Sequence, residues 1–198
     1  MQPQIKKEPK LTIEEYIKLE QEAQQKYEFH NGYVYAMAGG TDSHNTITMN
    51  ISGEIYAALK VKDCKIKNSD TKLYLENNNK FVYPDAMIIC GKQEESEKLK
   101  DAFTNPIVII EVLSESTGSY DRGDKFGFYR QIPSLRHYIL IEQDKIKIDI
   151  FSRQSSTSLW DIRSLENIEN NLELAISDTF VLSISLKDIF NDVIFEEL

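Results

Sequence analysis

Glu111 is the residue whose surroundings most strongly suggest chemistry. It lies in the run 107–113, whose other members are all Ile, Val or Leu. A continuous apolar run of this kind predicts a strand covered on both faces, where a lone carboxylate is costly to desolvate. Such a group is usually kept when a metal ion or a fixed base partners it. The alternative is that Glu111 reaches water or a surface lysine at the strand end.

Asp85 raises the same question in a second apolar run. Pro84 and Asp85 fall inside the predicted strand Phe81–Cys90, although both residue types are depleted in strand interiors. Taken alone, Asp85 could mark a bulge or an edge position. If the strands that carry Asp85 and Glu111 are neighbours, both carboxylates reach one sheet edge, where hard oxygen ligands can hold Mg²⁺.

Lys125 is the candidate cation for such a site. Phosphodiester hydrolysis requires a metal that polarises the phosphoryl oxygen and acidifies a bound water, and a cation that balances charge in the transition state. Lys125 follows Glu111 on the next predicted helix, which must pack back against the strand. The alternative is an ordinary helical pair with Asp121, four residues earlier.

The elements that position these residues alternate between helical and strand patterns. The Asn31–Gly32 pair predicts a hairpin turn, and Thr12 and Pro133 mark a helix start and a helix end. The first predicted helix begins at Thr12. Three more helices are predicted at about 43–60, 121–131 and 186–193. The predicted strands cover 27–35 (as a hairpin), 65–67, 72–76, 81–90, 107–113, 137–142 and 145–151, with one or two more before the last helix. This order predicts an α/β (α+β) fold with one mixed sheet flanked by helices.

Composition sets the broad class of the protein. The 198 residues are 41% hydrophobic and 28% charged, which is typical of a globular chain, and no linker or repeat divides them. We therefore expect one domain over 1–198, with a core at about 12–152 and acidic C-terminal strands and a helix at 153–198. The net charge is -9, and most of it lies beyond Asp161. An acidic protein of this kind does not coat nucleic acid by charge alone, but clustered carboxylates suit a metal-dependent phosphodiesterase.

Cysteine usage and the lack of long apolar runs favour a cytoplasmic protein. The longest wholly apolar runs, Ala86–Cys90 and Ile107–Ile110, are far shorter than a membrane span, and the basic N-terminus is not followed by the apolar segment of a secretory signal. Cys90 ends a buried strand, where we expect a free thiol rather than a bridge to Cys64.

Four segments in order resemble the Uma-two family of proteins classed as restriction endonucleases, within the PD-(D/E)XK nuclease superfamily. The segments are Tyr83-Pro84-Asp85; Pro106 with Glu111-Val112-Leu113-Ser114 and Thr117; Asp121, Lys125 and Tyr129; and His137-Tyr138-Ile139-Leu140-Ile141. The resemblance extends from about Glu28 to Glu142. It implies a restriction-endonuclease-like core and Mg²⁺-dependent (or Mn²⁺-dependent) cleavage of DNA, with Asp85 and Glu111 as metal ligands.

One position departs from the superfamily pattern. The motif Glu-x-Lys would place a lysine at position 113, where this chain has Leu113. The resembling family often uses a lysine from the next helix, which again indicates Lys125. By the same resemblance, Glu28 is a possible further metal contact and His44 a possible general base or phosphate contact. Otherwise Glu28 is a half-exposed strand residue, His44 a polar residue at a helix end, and Tyr129 a core residue.

Three functions remain open at this level. The first is a metal-dependent endonuclease that cuts duplex DNA, with a homodimer as one option. The second is a catalytically degenerate member of the fold that acts as a binding or assembly module, which the acidic C-terminal region and Leu113 favour. The third is a metal-dependent hydrolase of a small phosphoester, which a narrow cleft would favour.

Overall fold

The computed structural model of the protein describes residues 10–23, 25–115, 118–154 and 159–195 and shows a mixed α/β fold. The helices are α1 Ile13–Ala23, α2 Asp42–Leu59, α3 Gly118–Tyr120, α4 Phe126–Tyr129 and α5 Leu186–Ile189, with a 3₁₀ turn at Glu76–Asn78 and a π-helical turn at Asp121–Lys125. The strands are β1 Tyr27–His30, β2 Tyr33–Ala36, β3 Cys64–Asn68, β4 Lys72–Leu75, β5 Lys80–Val82, β6 Ala86–Cys90, β7 Ala102–Phe103, β8 Val108–Leu113, β9 His137–Glu142, β10 Ile148–Arg153, β11 Trp160–Leu165, β12 Asn171–Ser177 and β13 Phe180–Ser185.

A six-stranded mixed sheet is the centre of the molecule. Its strand order is β11-β10-β9-β8-β6-β3. β8 and β9 pair in parallel, and the other pairs of neighbouring strands in this sheet are antiparallel. The predicted fold class is therefore confirmed. The strands, however, divide among three sheets rather than one: a five-stranded sheet has the order β2-β1-β5-β4-β7, and β12 and β13 form a two-stranded sheet.

Alternating residues of the central sheet fill two separate cores. Ile110 and Val112 of β8 face the layer made by α2, the β12–β13 hairpin and α5. Ile109 and Leu113 face the opposite layer, where strands of the five-stranded sheet and Tyr129 cover them. A third cluster joins α1 to the outer face of the five-stranded sheet. Glu111 shares the strand face of Ile109 and Leu113, so the alternation directs it between the two large sheets.

The local signals in the sequence act as predicted at both N-terminal elements. Thr12 and Glu15 form a reciprocal capping box, in which each side chain accepts a hydrogen bond from the other residue's backbone N–H. Asn31 and Gly32 both have positive φ, which the tight turn between β1 and β2 requires. The Asn31–Gly32 turn fixes the hairpin that carries Glu28.

The run 81–90 differs from its prediction because it is two strands in two sheets. β5 ends at Val82 in the five-stranded sheet, and β6 starts at Ala86 in the central sheet. Between them, Tyr83-Pro84-Asp85 crosses from one sheet to the other. Pro84 has no N–H to donate to a ladder, so the change of sheet occurs where strand pairing is weakest.

The C-terminal hairpin is attached to the central sheet by side chains rather than by a strand ladder. Nη1 of Arg136 donates to the carbonyl of Ile176 at 3.1 Å, and Nε2 of His137 lies 3.1 Å from the carbonyl of Ala175. Arg163 also donates to the carbonyl of Glu173. These donors satisfy carbonyls of β12 that would otherwise lack partners.

The expected free thiol at Cys90 is wrong, because Cys64 and Cys90 form a disulfide. The two residues are directly opposite each other where β3 pairs with β6. The sequence showed that Cys90 ends an apolar strand, but it did not show that β3 would pair with β6 in this register. Within the described residues, no helix is both long and apolar enough to cross a lipid bilayer.

Candidate active site

Asp85 and Glu111 meet where β6 begins and β8 nears its end. Ala86 pairs with Ile110, so the antiparallel register places Asp85 beside Glu111. The backbone N–H of Asp85 lies 3.4 Å from Oε2 of Glu111, and Oδ2 of Asp85 accepts a 2.7 Å hydrogen bond from the N–H of Val112. The two acids singled out by the sequence are therefore neighbours at one edge of the central sheet.

Glu111 is almost fully buried, with 3% of its surface exposed, and it is not left alone. Its Oε1 lies 2.9 Å from Nζ of Lys125 and accepts a 2.9 Å hydrogen bond from the hydroxyl of Tyr129. Tyr129, expected only to pack in the core, also orients this carboxylate. The alternative that Glu111 reaches water or a surface lysine does not hold.

The π-helical turn Asp121–Lys125 delivers the buried lysine. Nζ of Lys125 also lies 3.1 Å from Oδ1 of Asp121, so the helical pair and the site contact occur together. π-helical segments are frequent at functional sites, because they change the direction of side chains along a helix. Leu113, at the position of the superfamily lysine, is buried in the core, and Lys125 provides the ammonium group near Glu111 instead.

Acidic groups outnumber the cation in this buried cluster, and the pKa values follow from that. Burial raises the pKa of Glu111 to about 8; the charge of Lys125 opposes the rise, and Asp85 and Asp121 add to it. Burial disfavours the ammonium form of Lys125, but the charges of Glu111 and Asp121 outweigh it and raise the pKa of Lys125 well above its ordinary value. Lys125 is thus fixed as a cation.

His44 reaches the site from the start of α2. The hydroxyl of Thr41 caps this helix by accepting from the backbone N–H of His44, which fixes the first turn. Nε2 of His44 then lies 3.2 Å from Oδ2 of Asp85. Burial favours the neutral ring, but the hydrogen bond and charge of Asp85 outweigh it, so the pKa of His44 is raised.

Glu28 approaches the same cluster from the five-stranded sheet. Its Oε2 lies 2.9 Å from Nε2 of His30, and both side chains are largely buried. Burial would raise the pKa of Glu28, but the hydrogen bond with His30 and the charge of Lys125 outweigh it and lower the pKa. Direct contacts thus link four of the five predicted residues, namely Asp85, Glu111, Lys125 and His44, whereas Glu28 contacts His30 and is influenced by the charge of Lys125.

Three neighbours of the site were given no role in it from the sequence. Asp121 was considered only as a helical partner of Lys125, Tyr129 as a core residue, and His30 was not singled out. The spacing of Asp121 and Tyr129, four residues on either side of Lys125, places all three on one helix face and is the signal that could have found two of them. His30 lies two residues after Glu28 on β1, so both side chains are on one face of the strand, and that spacing is the signal that could have found His30.

The donor set fits a divalent cation held by two carboxylates. Within the described ranges, no group of three or more His, Cys, Asp or Glu side chains is arranged to hold a metal ion. Mg²⁺ does not require such a cage, since it commonly binds one or two carboxylates and completes its shell with water and substrate phosphate. Asp85 and Glu111 are adjacent hard oxygen donors of this kind.

Comparisons with known proteins agree with this architecture. Residues 13–187 match the Uma2 family, described as "Putative restriction endonuclease". Two uncharacterized proteins of Synechocystis sp. are similar in sequence. One is 36% identical over 145 residues, covering 73% of this chain and 75% of that protein. The other is 35% identical over 143 residues, covering 72% of this chain and 81% of that protein.

A solved structure shares the fold. It is the crystal structure of a protein from Anabaena variabilis described as a "putative nuclease belonging to DUF820". The superposition has a TM-score of 0.71 with 15% sequence identity and covers 91% of this chain and 97% of that one. At this identity the likeness shows the fold.

Proposed function

This chain belongs to the Uma2 restriction endonuclease family, and from that premise we propose that it is a metal-dependent endonuclease that hydrolyses DNA phosphodiester bonds. The proposed catalytic residues are Asp85, Glu111 and Lys125, with Asp85 and Glu111 as metal ligands. Glu28 and His44 are proposed as additional members of the site. The family and the nuclease-like fold support the general activity; the site, the metal and the substrate are our proposal.

The observation that carries the proposal is the environment of Glu111. A carboxylate that is 3% exposed lies 2.9 Å from a buried ammonium group and beside the backbone of a second acid. A purely structural ion pair could be replaced by apolar residues with little loss or even a gain of stability. Two acids and a fixed lysine at the edge of a sheet are instead the groups that phosphoryl transfer requires.

Each residue has a distinct proposed task. A bound divalent cation would polarise the phosphoryl oxygen and lower the pKa of a coordinated water. Asp85 and Glu111 would hold that cation with their adjacent oxygens. Lys125, kept charged by its acidic neighbours, would stabilise the negative charge that develops on the phosphoryl group. His44, whose Nε2 donates to Asp85, would accept or return a proton at Nδ1.

The remaining parts of the proposal concern context. We propose Mg²⁺ or Mn²⁺ as the cation, DNA as the substrate, a homodimer, and one restriction-endonuclease-like domain over 1–198. The family description supports a nucleic-acid substrate. Restriction-endonuclease-like proteins generally use divalent metals, which supports the choice of Mg²⁺ or Mn²⁺ as the cation.

A plasmid assay tests the catalytic proposal. The purified protein should nick supercoiled DNA with Mg²⁺ or Mn²⁺ and not with excess chelator. Asp85→Ala and Glu111→Ala should abolish nicking, while Glu54→Ala, an exposed acid of α2, should leave it unchanged. Nicking that survives both site substitutions would show that the site is misplaced.

The binding-module alternative has its own measurement. Leu113 and the acidic C-terminal region favour it. A divalent cation that binds only the folded state must raise the melting temperature. If the protein neither nicks DNA nor gains heat stability from Mg²⁺ or Mn²⁺, the results favour a catalytically degenerate member of the fold that acts as a binding or assembly module. Turnover of a small phosphodiester without plasmid cleavage would instead support the small-substrate hydrolase.

A further inference from the structure

β11 is the outermost strand of the central sheet and exposes apolar side chains. It pairs with β10 on one side, and within the described residues no backbone hydrogen bond joins its other edge to another element. Ile162, at the middle of the strand, is 64% exposed, and Leu159, which precedes the first residue of the strand, is 61% exposed. An exposed apolar edge strand is a template for pairing with another strand.

The charges around Ile162 are self-complementary. Asp161 precedes it and Arg163 follows it. If a second copy of β11 pairs antiparallel with Ile162 opposite itself, each Asp161 is opposite the partner's Arg163. Directly opposite charges stabilise such a pair, and like charges destabilise it.

Neighbouring registers lack this match. Centring the pair on Asp161 places two aspartates together, and centring it on Arg163 places two arginines together. A register that places Asp161 opposite Ile162, or Ile162 opposite Arg163, leaves both charged residues without an opposite charge. The Asp-Ile-Arg triplet therefore specifies one register.

The other edge of the same sheet is protected against this pairing. In β3, Lys65 and Lys67 flank Ile66, so a pair centred on Ile66 would place lysines against lysines. Lysines on an edge strand are a recognised protection against association. The edge strands β2 and β7 of the five-stranded sheet are only four and two residues long. Of these edges, β11 alone is long, apolar at its centre and free of self-repulsion.

We propose that β11 is the homodimer surface of this protein, where two copies join their central sheets edge to edge through Trp160–Leu165. The two-fold axis passes between the Ile162 residues, perpendicular to the sheet. The proposal deepens the homodimer included in the proposed function, but it does not rest on DNA cleavage.

The symmetry has a consequence for the candidate sites. The axis reverses the strand direction, so the ends of β8 that carry Glu111 face opposite ways in the two copies. Two opposed sites do not act on facing positions of one duplex. Each copy would act independently, and nicks would precede double-strand breaks.

Measurement of molar mass tests the surface without any need for activity. In sedimentation velocity over a range of micromolar concentrations, the mass should rise from 22.9 kDa toward twice that value. Ile162→Lys should keep the protein monomeric. Val181→Lys, which alters an exposed apolar residue of β13, is the matched control and should not. A wild-type chain that stays monomeric throughout would overturn the proposal.

A charge exchange separates pairing from local structure. Asp161→Arg and Arg163→Asp should each weaken the dimer, and the double variant should restore it, because every opposite pair is rebuilt in reverse. Arg163 also donates to the carbonyl of Glu173 within its own chain. The double variant does not rebuild that bond, so restoration cannot come from it. Failure of restoration would place the dimer contact elsewhere.

A cross-link fixes the register. Ile162→Cys places one thiol opposite its own copy, and oxidation should give a disulfide-linked dimer on a non-reducing gel. Val181→Cys should not cross-link at equal concentration. The native cysteines are already paired with each other and do not compete.

Discussion

At the scale of single residues, the site is defined by how Glu111 is satisfied. Its carboxylate meets Lys125 and the hydroxyl of Tyr129 on one side and the backbone of Asp85 on the other. The sequence revealed Asp85 and Glu111 because both are acids within apolar strands. It did not assign Tyr129 or Asp121 to the site, because an aromatic or acidic residue on a helix has ordinary uses that the pattern cannot distinguish from this one.

Tyr129→Phe should destabilise the protein while leaving the ring in place. At about pH 9, above the pKa of Glu111, the lost hydroxyl donates to a buried carboxylate, and hydrogen bonds to charged groups contribute about 1.5–3 kcal/mol. Tyr138→Phe is the matched control, since its hydroxyl donates to the neutral carbonyl of Asp121 and should cost about 1 kcal/mol. Urea unfolding measures both. Equal losses would contradict a special link between Tyr129 and Glu111.

Gly40→Ala should displace His44 without touching Asp85. A Cβ at Gly40 would lie 2.6 Å from Nδ1 of His44, whereas a Cβ at Gly39 would meet nothing within 4 Å. The pKa of His44, raised by Asp85, should fall toward its ordinary value in Gly40→Ala and stay raised in Gly39→Ala. NMR titration of the ring measures this. If His44 transfers a proton, nicking by Gly40→Ala should fall about 100-fold, in line with general acid–base catalysis.

At the scale of elements, the structure departs from the sequence prediction where a segment changes partner. The run 81–90 has the composition of one strand, but Pro84 interrupts the ladder and each half pairs in a different sheet. The β12–β13 hairpin was predicted only as one or two strands. Its attachment depends on Arg136, His137 and Arg163, whose carbonyl partners are remote in sequence. Local patterns predict elements well and their distant partners poorly.

His137 should make stability depend on pH. Nε2 must carry a proton to bond the carbonyl of Ala175, and Nδ1 then accepts from the hydroxyl of Ser152, so the neutral ring satisfies both partners. Burial lowers the pKa of His137, with Arg163 and Arg136 contributing, against the bond to Ala175. The unfolded chain therefore binds a proton more readily than the folded one. This contribution to stability is present above about pH 6.5 and is lost as the pH falls toward the lowered folded pKa.

His137→Gln isolates that contribution, because a glutamine amide can donate to one partner and accept from the other. The free energy of unfolding in urea, measured at neutral and mildly acidic pH, should fall less in the variant than in the wild type. The difference should be about 1.4 kcal/mol for each unit by which the pKa is lowered. Parallel pH profiles for the two proteins would contradict the assignment.

At the scale of the whole molecule, the fold class was predictable and the number of sheets was not. Strands and helices in this order indicate a mixed α/β fold, and the matching family and solved structure agree. The division into three sheets, and the pairing of β3 with β6 that joins Cys64 to Cys90, are set by tertiary packing. No local pattern in the sequence records those choices.

Reduction of the disulfide should weaken the fold and spare the site. The bond links residues 26 apart in sequence, and a closed loop of this size contributes about 3.5 kcal/mol. Cys90 ends β6, while Asp85 precedes the start of that strand, so the bond and the site are at opposite ends. Urea unfolding with and without reductant should show this loss. Nicking under native conditions should not change, and Cys64→Ser/Cys90→Ser should not respond to reductant.

The crossing of Tyr83-Pro84-Asp85 between sheets gives the molecule a joint. Glu28 belongs to one sheet and Glu111 to the other, and the two carboxylates are coupled through Lys125. A cation or phosphate that contacts side chains of both sheets would hold the two sheets together at this crossing. Backbone amides of β1 and of β8, which lie in separate sheets, should then slow their exchange with deuterated solvent together when the site fills.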